Sequence, residues 1–172
     1  MPSSDVTNSW LASYSKTERD ERVIHLYNDY SGYSTCAIEL RDYGPAPLIV
    51  NIESAAAQNT MYRTALWTGN HLQLTLMSIP AGGDIGAEVH PTFDQFISVE
   101  DGQGYVLMGN SREQLTFQGM VCKGYAIFIP AGTWLNVVNG SYAPLKLYSI
   151  YAPPAHPHGA VQRTKEEAET HY

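Results

Sequence analysis

The sequence predicts an all-β domain of the sandwich or barrel class, and three observations support this. Strict alternation of apolar and polar residues runs through "HLQLTLMSI" (71–79), further short apolar segments follow it, and turn residues recur about every ten residues. This spacing is typical of a sandwich or barrel and leaves no room for the crossover helices of a parallel sheet. With 172 residues, 44% of them apolar, the chain is long enough to bury one sizeable core.

Residues 1–62 are expected to form an N-terminal tail and an arm that packs on the barrel. The first 20 or so residues are polar and mix both charge signs, which indicates a short helix or a frayed tail. Residues 23–61 carry short apolar runs between prolines and turn residues, so we expect an extended arm with one or two short strands. Such an arm has too little apolar surface to bury its own core, but it can cover a sheet edge in a homodimer.

Residues 63–155 are expected to form the barrel, and 156–172 a C-terminal tail that ends in a short charged helix. After "HLQLTLMSI", the stretch "QFISVEDGQGYVLMG" (95–109) predicts a hairpin whose turn is Asp101-Gly102. Three further strands are predicted in "GYAIFIPAG", "WLNVVNG" and "LKLYSIYAP". The prediction is therefore one barrel flanked by an arm and a tail.

Composition and charge exclude several classes of partner. The net charge of −7 offers no basic stripe to nucleic-acid phosphates. No apolar run approaches the roughly 20 residues that span a bilayer. The N-terminus lacks an apolar core flanked by basic residues, so no signal peptide is expected and the predicted location is the cytoplasm. Two distant cysteines, Cys36 and Cys122, agree with a reduced compartment.

Two gapped motifs resemble those of the cupin family, which folds as a jelly roll or double-stranded β-helix. The family's first motif runs Gly, five residues, His-x-His, three or four residues, Glu, six residues, Gly. Here the matching positions are Gly82, Glu88, His90, Gln95 and Gly102, with every spacer in place. Glu88 thus stands where the family has its first His, and Gln95 stands where it has Glu.

The second motif of the family runs Gly, five residues, Pro-x-Gly, two residues, His, three residues, Asn. Gly124, Pro130, Gly132 and Asn139 all match, and Leu135 takes the place of the His. The stretches "RTALWTGNHLQLTLMSIP" and "KLYSIYAPPAHPHG" further resemble a bacterial cupin subgroup labelled mannose-6-phosphate-isomerase-like. That label follows fold and motif, so it constrains the reaction weakly.

The resemblance places Glu88 and His90 in the barrel mouth, and strand alternation puts both on one face. The family's usual ligand set is three imidazoles and one carboxylate, whereas this chain offers Glu88, His90 and the amide of Gln95. These three residues suit a weakly bound divalent metal such as Zn, Ni, Mn or Fe. The alternatives are a metal-free pocket and a degenerate site held by structural hydrogen bonds. A single imidazole argues against dioxygenase chemistry.

Several functions remain open on these residues. A carboxylate beside an imidazole suits non-oxidative proton transfer, as in isomerisation, epimerisation or elimination on a sugar-like or keto compound, with Glu88 and His90 as the catalytic pair. Other possibilities are a non-catalytic cupin that binds or senses a metabolite, a weak divalent-metal enzyme, and a structural cupin that mainly dimerises. The expected partners are a small-molecule ligand and a second copy of the chain, with no nucleic acid and no membrane.

Other side chains are weaker candidates for the same pocket. His71 and Gln73 lie on the polar face of "HLQLTLMSI", and Leu135 is expected across from Glu88 and His90 as an apolar wall. His156 and His158 form a pair in "PPAHPHG", but a proline-rich turn after the last strand is typically exposed to solvent. Arg63 suits a plain salt bridge better than a bound anion.

Overall fold

The computed structural model describes residues 37–169, which form two helices and ten strands. The helices are α1 (Ile52–Gln58) and α2 (Lys165–Glu169). The strands are β1 (Arg63–Thr68), β2 (Gln73–Ile79), β3 (Glu88–Val89), β4 (Gln95–Asp101), β5 (Gln103–Gly109), β6 (Phe117–Cys122), β7 (Ala126–Ile129), β8 (Trp134–Asn139), β9 (Leu145–Tyr151) and β10 (Val161–Gln162). The expected tail over the first 20 residues and the first part of the arm, 23–36, lie outside the described residues.

The strands build two facing antiparallel sheets, which confirms the predicted all-β jelly roll. Sheet A has the order β10-β1-β2-β9-β4-β7, and sheet B has the order β3-β8-β5-β6. Alternate residues of each strand point between the sheets, as the period of two requires. They supply most of the main core, which includes Met77, Ile79, Ile97, Val99, Val106, Leu135, Val137, Leu145 and Leu147.

The inner face of sheet A changes from apolar to polar along its central strands. On β9 the inward residues run from Leu145 and Leu147 to Ser149 and Tyr151, all buried. The neighbouring strands β2 and β4 change from apolar to polar at the same level of the barrel. Because both run antiparallel to β9, the change appears in reverse order along their sequences. One end of the barrel interior is therefore apolar, and the other, called here the polar end, is lined by side chains that form hydrogen bonds.

The predicted hairpin at Asp101-Gly102 is wrong. Strand β4 pairs with β9 and β7 in sheet A, whereas β5 pairs with β6 and β8 in sheet B. Gly102 has a φ of 85°, and the chain crosses there from one sheet to the other. Both strands present alternate residues to the same core, Val99 from one and Val106 from the other, so the sequence pattern alone did not separate a hairpin from a crossing.

The described part of the arm lies on the outer face of sheet A of its own chain, not on a sheet edge. Its apolar side chains cover Leu66, Leu76 and Leu74 on β1 and β2; those side chains are Ile38, Leu40, Tyr43, Val50 and Ile52. The regular element of this part is α1 and not the expected strands. Asn51 caps the helix by accepting from the Ser54 N–H at 3.0 Å, and the run of three alanines favours a helix.

The C-terminal residues join the sheet instead of forming only a tail. Strand β10 pairs with β1 and so extends sheet A by one strand, and the short charged helix α2 follows it, as expected. Neither helix within residues 37–169 is long and apolar enough to cross a bilayer.

Asn139, the last residue of the second motif, has a structural role at the end of β8. It is buried, and its Nδ2 donates to the carbonyls of Ile79, Pro80 and Ala143 at 2.8 to 3.0 Å. Its Oδ1 accepts from both the backbone N–H and the hydroxyl of Ser141 at 2.8 Å. One side chain therefore joins the end of β2 to the turn between β8 and β9.

Replacing this side chain should destabilise the fold strongly. Asn139→Ala leaves carbonyls at the end of β2 without their donor, so the free energy of unfolding should fall by about 2 to 4 kcal/mol. Urea denaturation measures the change, with Asn110→Ala at an exposed turn as the control. A loss as small as that of the control would show that backbone pairing alone holds this turn.

Candidate functional site

Glu88 and His90 meet at the polar end of the barrel. Glu88 begins β3, His90 follows that strand directly, and the two side chains share one face. Oε1 of Glu88 lies 3.7 Å from Nε2 of His90, and the side chains are 23% and 14% exposed. The His90 carbonyl accepts from the Gly132 N–H at 2.8 Å, so one hydrogen bond joins the two motifs.

Aromatic rings fix the orientation of the His90 imidazole. The ring of Phe93 stacks on it with centroids 4.7 Å apart. The ring of Tyr151 meets it edge-on at 5.6 Å from the neighbouring sheet. The Nε2 atom of His90 is buried and makes no hydrogen bond to any described residue. This nitrogen therefore lies close to the Glu88 carboxylate but is not hydrogen-bonded to it.

Polar side chains cross the inner face of sheet A beside this pair. Tyr151 on β9 lies between Gln73 on β2 and Gln95 on β4 in register, and Thr75 lies opposite Ser149. Within the described residues, three buried polar atoms of this group have no hydrogen-bond partner: Thr75 Oγ1, Ser149 Oγ and Gln95 Oε1. Folded proteins seldom leave such atoms unpaired, so the polar end is a place where a water or a ligand is needed.

The residues predicted for the pocket lie in different places in the structure. Gln95 is 4% exposed and points inward at the start of β4. Leu135 is buried in the core but pairs directly with Glu88 on the adjacent strand, so it lies beside the carboxylate instead of across from it. His71 does not line the site, because it is exposed in the turn before β2 begins.

Gln73 is buried at the polar end, and its amide is already bonded within the protein. Nε2 donates to the His156 carbonyl and to Thr68 Oγ1 at 2.9 Å. Oε1 accepts from the backbone N–H groups of His156 at 2.9 Å and Ala155 at 3.2 Å. Gln73 therefore anchors residues 152–160, called here the return segment, against the barrel.

The structure adds two residues to the site that the sequence analysis did not assign to it. His156 of the return segment is 8% exposed and lies edge-on to Tyr151 with centroids 5.0 Å apart, so the expectation of an exposed turn is wrong for this residue. Tyr151 is fully buried between the two imidazoles. The alternation in "LKLYSIY" could have identified Tyr151 as inward, but no local signal revealed that the chain turns back at 152–160.

Two ionisable residues support this end of the barrel from β1 and the turn before it. Arg63 is buried, and its Nη1 donates to Gln162 Oε1 at 2.8 Å on the β10 side. The hydroxyl of Tyr62 donates to the Ile85 carbonyl at 3.0 Å, close to the start of β3. Burial raises the pKa of Tyr62, and the negative charge of Glu88 adds to that rise. The phenol therefore stays protonated and keeps its hydrogen bond.

The donor set does not fit a firmly held divalent metal. Within residues 37–169, no group of three or more His, Cys, Asp or Glu side chains is placed to share an ion. Glu88 and His90 supply two donors, Gln95 adds a neutral amide oxygen, and Leu135 is apolar where the family has an imidazole. Catalytic zinc sites use three protein ligands of the imidazole, thiolate or carboxylate type.

Comparisons with known proteins identify relatives that share most of this chain. No family model matches the sequence. The uncharacterized protein YrkC of Bacillus subtilis (strain 168) is 55% identical over 138 residues, which cover 80% of this chain and 74% of YrkC. The uncharacterized protein L612 of Acanthamoeba polyphaga mimivirus is 39% identical over 114 residues, covering 66% of this chain and 69% of L612.

A solved structure supports the fold. The crystal structure of BH2720 from Bacillus halodurans is 58% identical in sequence and superposes with a TM-score of 0.75. The match covers 76% of this chain and 98% of that one. Sequence and architecture are therefore both shared over the barrel.

A substitution at Leu135 tests whether this position decides metal binding. Leu135→His supplies a second imidazole beside Glu88, so added Zn²⁺ or Ni²⁺ should raise the melting temperature of the variant far more than that of the parent. Without metal, the polar ring in the core should cost about 1 to 3 kcal/mol of stability. The gain from metal should shrink as the pH falls through about 6.5, since imidazole binds a metal only when deprotonated.

Leu107→His is the matched control, because Leu107 points outward from β5 in the same sheet. Equal responses to metal in parent and Leu135→His would show that position 135 is not the missing ligand. A parent that retains a full equivalent of metal by elemental analysis would show that Glu88, His90 and Gln95 suffice.

Proposed function

This chain belongs to one family with YrkC and BH2720, and we propose that it is a cupin and a small-molecule enzyme catalysing non-oxidative proton transfer. The observation that carries the proposal is the Glu88–His90 pair, whose Oε1 and Nε2 atoms lie 3.7 Å apart inside the barrel mouth. A carboxylate and an imidazole at this distance provide a base and an acid for one substrate. The substrate class is a sugar-like or keto compound.

Isomerisation or epimerisation uses both members of the pair. Glu88 takes a proton from the carbon beside the ligand's carbonyl group, which leaves an enolate, and His90, in its protonated form, gives a proton to the adjacent oxygen or carbon. The proton held by Glu88 then passes to His90, 3.7 Å away, which restores both residues. No oxidant or reductant is consumed. The separation of 3.7 Å exceeds a hydrogen bond, so both atoms stay available to one ligand group that approaches them from the same side.

A binding or sensing protein is the second candidate. The unpaired atoms Thr75 Oγ1, Ser149 Oγ and Gln95 Oε1 favour it, because a metabolite could be held by these groups without any proton transfer. A weak divalent-metal enzyme receives less support, since Gln95 is the sole further donor that the predicted set supplies. The two leading candidates differ in whether Glu88 acts chemically.

Glu88→Gln separates enzyme from binder. The amide keeps the shape of the side chain but cannot accept a proton, so turnover should fall by about 10² to 10⁴-fold while ligand binding changes little. Incorporation of deuterium from D₂O into a panel of aldoses, ketoses and keto acids, followed by NMR, measures the proton transfer directly.

Glu113→Gln, at an exposed loop position, serves as the control and should exchange like the parent. Exchange by Glu88→Gln at the parental rate would remove Glu88 from the mechanism. A parent that binds members of the panel but exchanges none of them would favour the binding protein.

We also propose that the chain forms a homodimer through the outer face and free edge of sheet B. The outward residues of its three longer strands are Gln103, Tyr105, Leu107, Gln118, Met120, Cys122, Trp134, Asn136 and Val138. None of them is charged, although the chain has a net charge of −7. Two copies therefore repel each other least where these faces meet.

The free edge of sheet B also favours a second copy of the chain as the partner. Among the described residues β6 pairs with β5 alone, so one row of its backbone groups is open. Its sequence, "FQGMVC", contains neither charge nor proline, the usual protections of an edge strand. An edge strand can pair antiparallel with its own copy about a two-fold axis, which makes a second copy the natural partner.

A charge placed on this face should separate the dimer. Tyr105 and Met120 lie opposite each other and are 49% and 66% exposed. Light scattering at micromolar concentration should show a dimer for the parent and a monomer for Met120→Lys, because the lysine would be buried without a partner. Tyr142→Lys, at another exposed aromatic, should remain a dimer. A monomeric parent, or a dimeric Met120→Lys, would refute the interface.

A further inference from the structure

The return segment, residues 152–160, brings a third titratable side chain to the polar end of the barrel. It leaves β9 after Tyr151 and folds back, and Gln73 holds it by bonding both the N–H and the carbonyl of His156 at 2.9 Å. The side-chain amide of Gln73 thus bonds both backbone groups of residue 156, as the backbone of a neighbouring strand does in a sheet. Because Gln73 is fully buried, the backbone at residue 156 has a fixed place in the mouth.

The ring of His156 points to the same tyrosine as His90 does. Tyr151 lies edge-on to both imidazoles, with centroids 5.0 Å from His156 and 5.6 Å from His90. His156 is 8% exposed, so its ring belongs to the interior and not to the solvent. Two imidazoles therefore lie against Tyr151 at one end of the barrel, His156 from the return segment and His90 after β3, and Glu88 lies beside the second of them.

We propose that His156 is a further ligand-binding residue of this site, which hydrogen-bonds a hydroxyl group of the ligand, and that the ligand is an uncharged polyhydroxylated compound. The inference rests on the proposed function, since it names the substrate class for the site that holds Glu88 and His90. It adds a specificity-determining side chain from a segment that neither motif includes.

The charge state of His156 supports a hydroxyl partner. Burial, aided by the nearby Arg63 and His90, lowers the pKa of His156 to about 3. The imidazole is therefore neutral at physiological pH, with one nitrogen that donates and one that accepts, as a hydroxyl group does. It brings no positive charge to attract a carboxylate or phosphate.

The other groups around the site match the same chemistry. The unpaired atoms of Thr75, Ser149 and Gln95 are two hydroxyl oxygens and an amide oxygen, all neutral and all able to accept from a ligand hydroxyl. Glu88, 23% exposed, contributes a negative charge that repels anionic ligands. The guanidinium of Arg63 donates through Nη1 to Gln162 and lies close enough to His156 to act on it. Its positive charge is opposed by that of Glu88, and both charges act on Tyr62.

His158 provides a matched control in the same segment. It is exposed, and its Nε2 lies 3.0 Å from the Gly44 carbonyl and 3.6 Å from Asp42 Oδ1, on the arm side. His158→Ala removes an imidazole from the return segment without removing a side chain from the polar end. Differences between the two substitutions therefore report on the ligand site.

Calorimetric titration of the full chain tests the proposal with D-mannose and xylitol as neutral probes and D-gluconate and mannose 6-phosphate as anionic ones. The parent should bind the neutral probes more tightly than the anionic ones. His156→Ala should weaken that binding about tenfold, the factor expected from one lost hydrogen bond in a buried site. His156→Gln, whose amide both donates and accepts, should recover part of it, and His158→Ala should bind as the parent does.

Different results would refute the role of His156, the ligand class and the proposed function. Equal affinities for His156→Ala and His158→Ala, in proteins with parental NMR spectra, would remove His156 from the site. If His156→Ala fails to fold, His156→Gln and His156→Phe give the same comparison. Tighter binding of the anionic probes, or no binding of any probe, would overturn the ligand class. Proton exchange that survives Glu88→Gln would refute the proposed function while leaving the binding result for His156 intact.

Discussion

The buried amide of Gln73 is the interaction on which the polar end of the barrel depends. Its Nε2 donates to Thr68 Oγ1, whose hydroxyl in turn donates to Asp42 Oδ2 at 2.5 Å. Asp42 also accepts from the Gly159 N–H at 2.9 Å. One run of hydrogen bonds therefore joins the arm, the β1–β2 pair and two places in the return segment, residues 155–156 and residue 159. Buried networks of this kind are strong when every member is satisfied.

The carboxyl group of Asp42 has hydrogen-bond donors for its oxygens within that network. Burial alone would raise the pKa of its carboxyl group, yet hydrogen bonds from Thr68, Gly159 and Gly44 hold it below its ordinary value. A charged carboxylate is thus stable at this position, and the return segment stays closed over the barrel. Oδ2 accepts from both Thr68 and Gly159, so the arm, β1 and the return segment are coupled through this residue.

The sequence was sufficient for those features that depend on spacing along one strand. Alternation and the two motifs predicted the all-β barrel, and the structure brings Glu88 within 3.7 Å of His90. It was insufficient wherever distant segments decide the outcome. The Asp101-Gly102 turn has the residues of a hairpin, but its two strands are recruited by different sheets. His156 lies in a proline-rich stretch that resembles an exposed turn, and Gln73, 83 residues earlier in the chain, holds it inside.

Gln73 also shows why a sequence pattern can assign a position correctly and its role incorrectly. Period-two alternation places its side chain on the face opposite Leu74 and Leu76, and the structure turns that face toward the interior, where a polar residue suggests a ligand contact. Both of its amide atoms are nevertheless used by the protein, whereas those of Thr75, Ser149 and Gln95 remain unpaired among the described residues. An inward polar residue marks a ligand site only when its hydrogen-bonding capacity is left over.

The same reasoning bears on the proposed function, since the chain departs from the cupin motif at a ligand position. Leu135 is buried and pairs with Met108 as well as Glu88, so the position of the missing imidazole now belongs to the apolar core. The ring of Tyr151 lies edge-on to His90, and His156 lies edge-on to Tyr151. Glu88 and His90 therefore have an apolar neighbour in Leu135 and a neutral imidazole beyond Tyr151. With an apolar residue where the cupin motif has an imidazole, these side chains support the proposed metal-free proton transfer better than a firmly held cation.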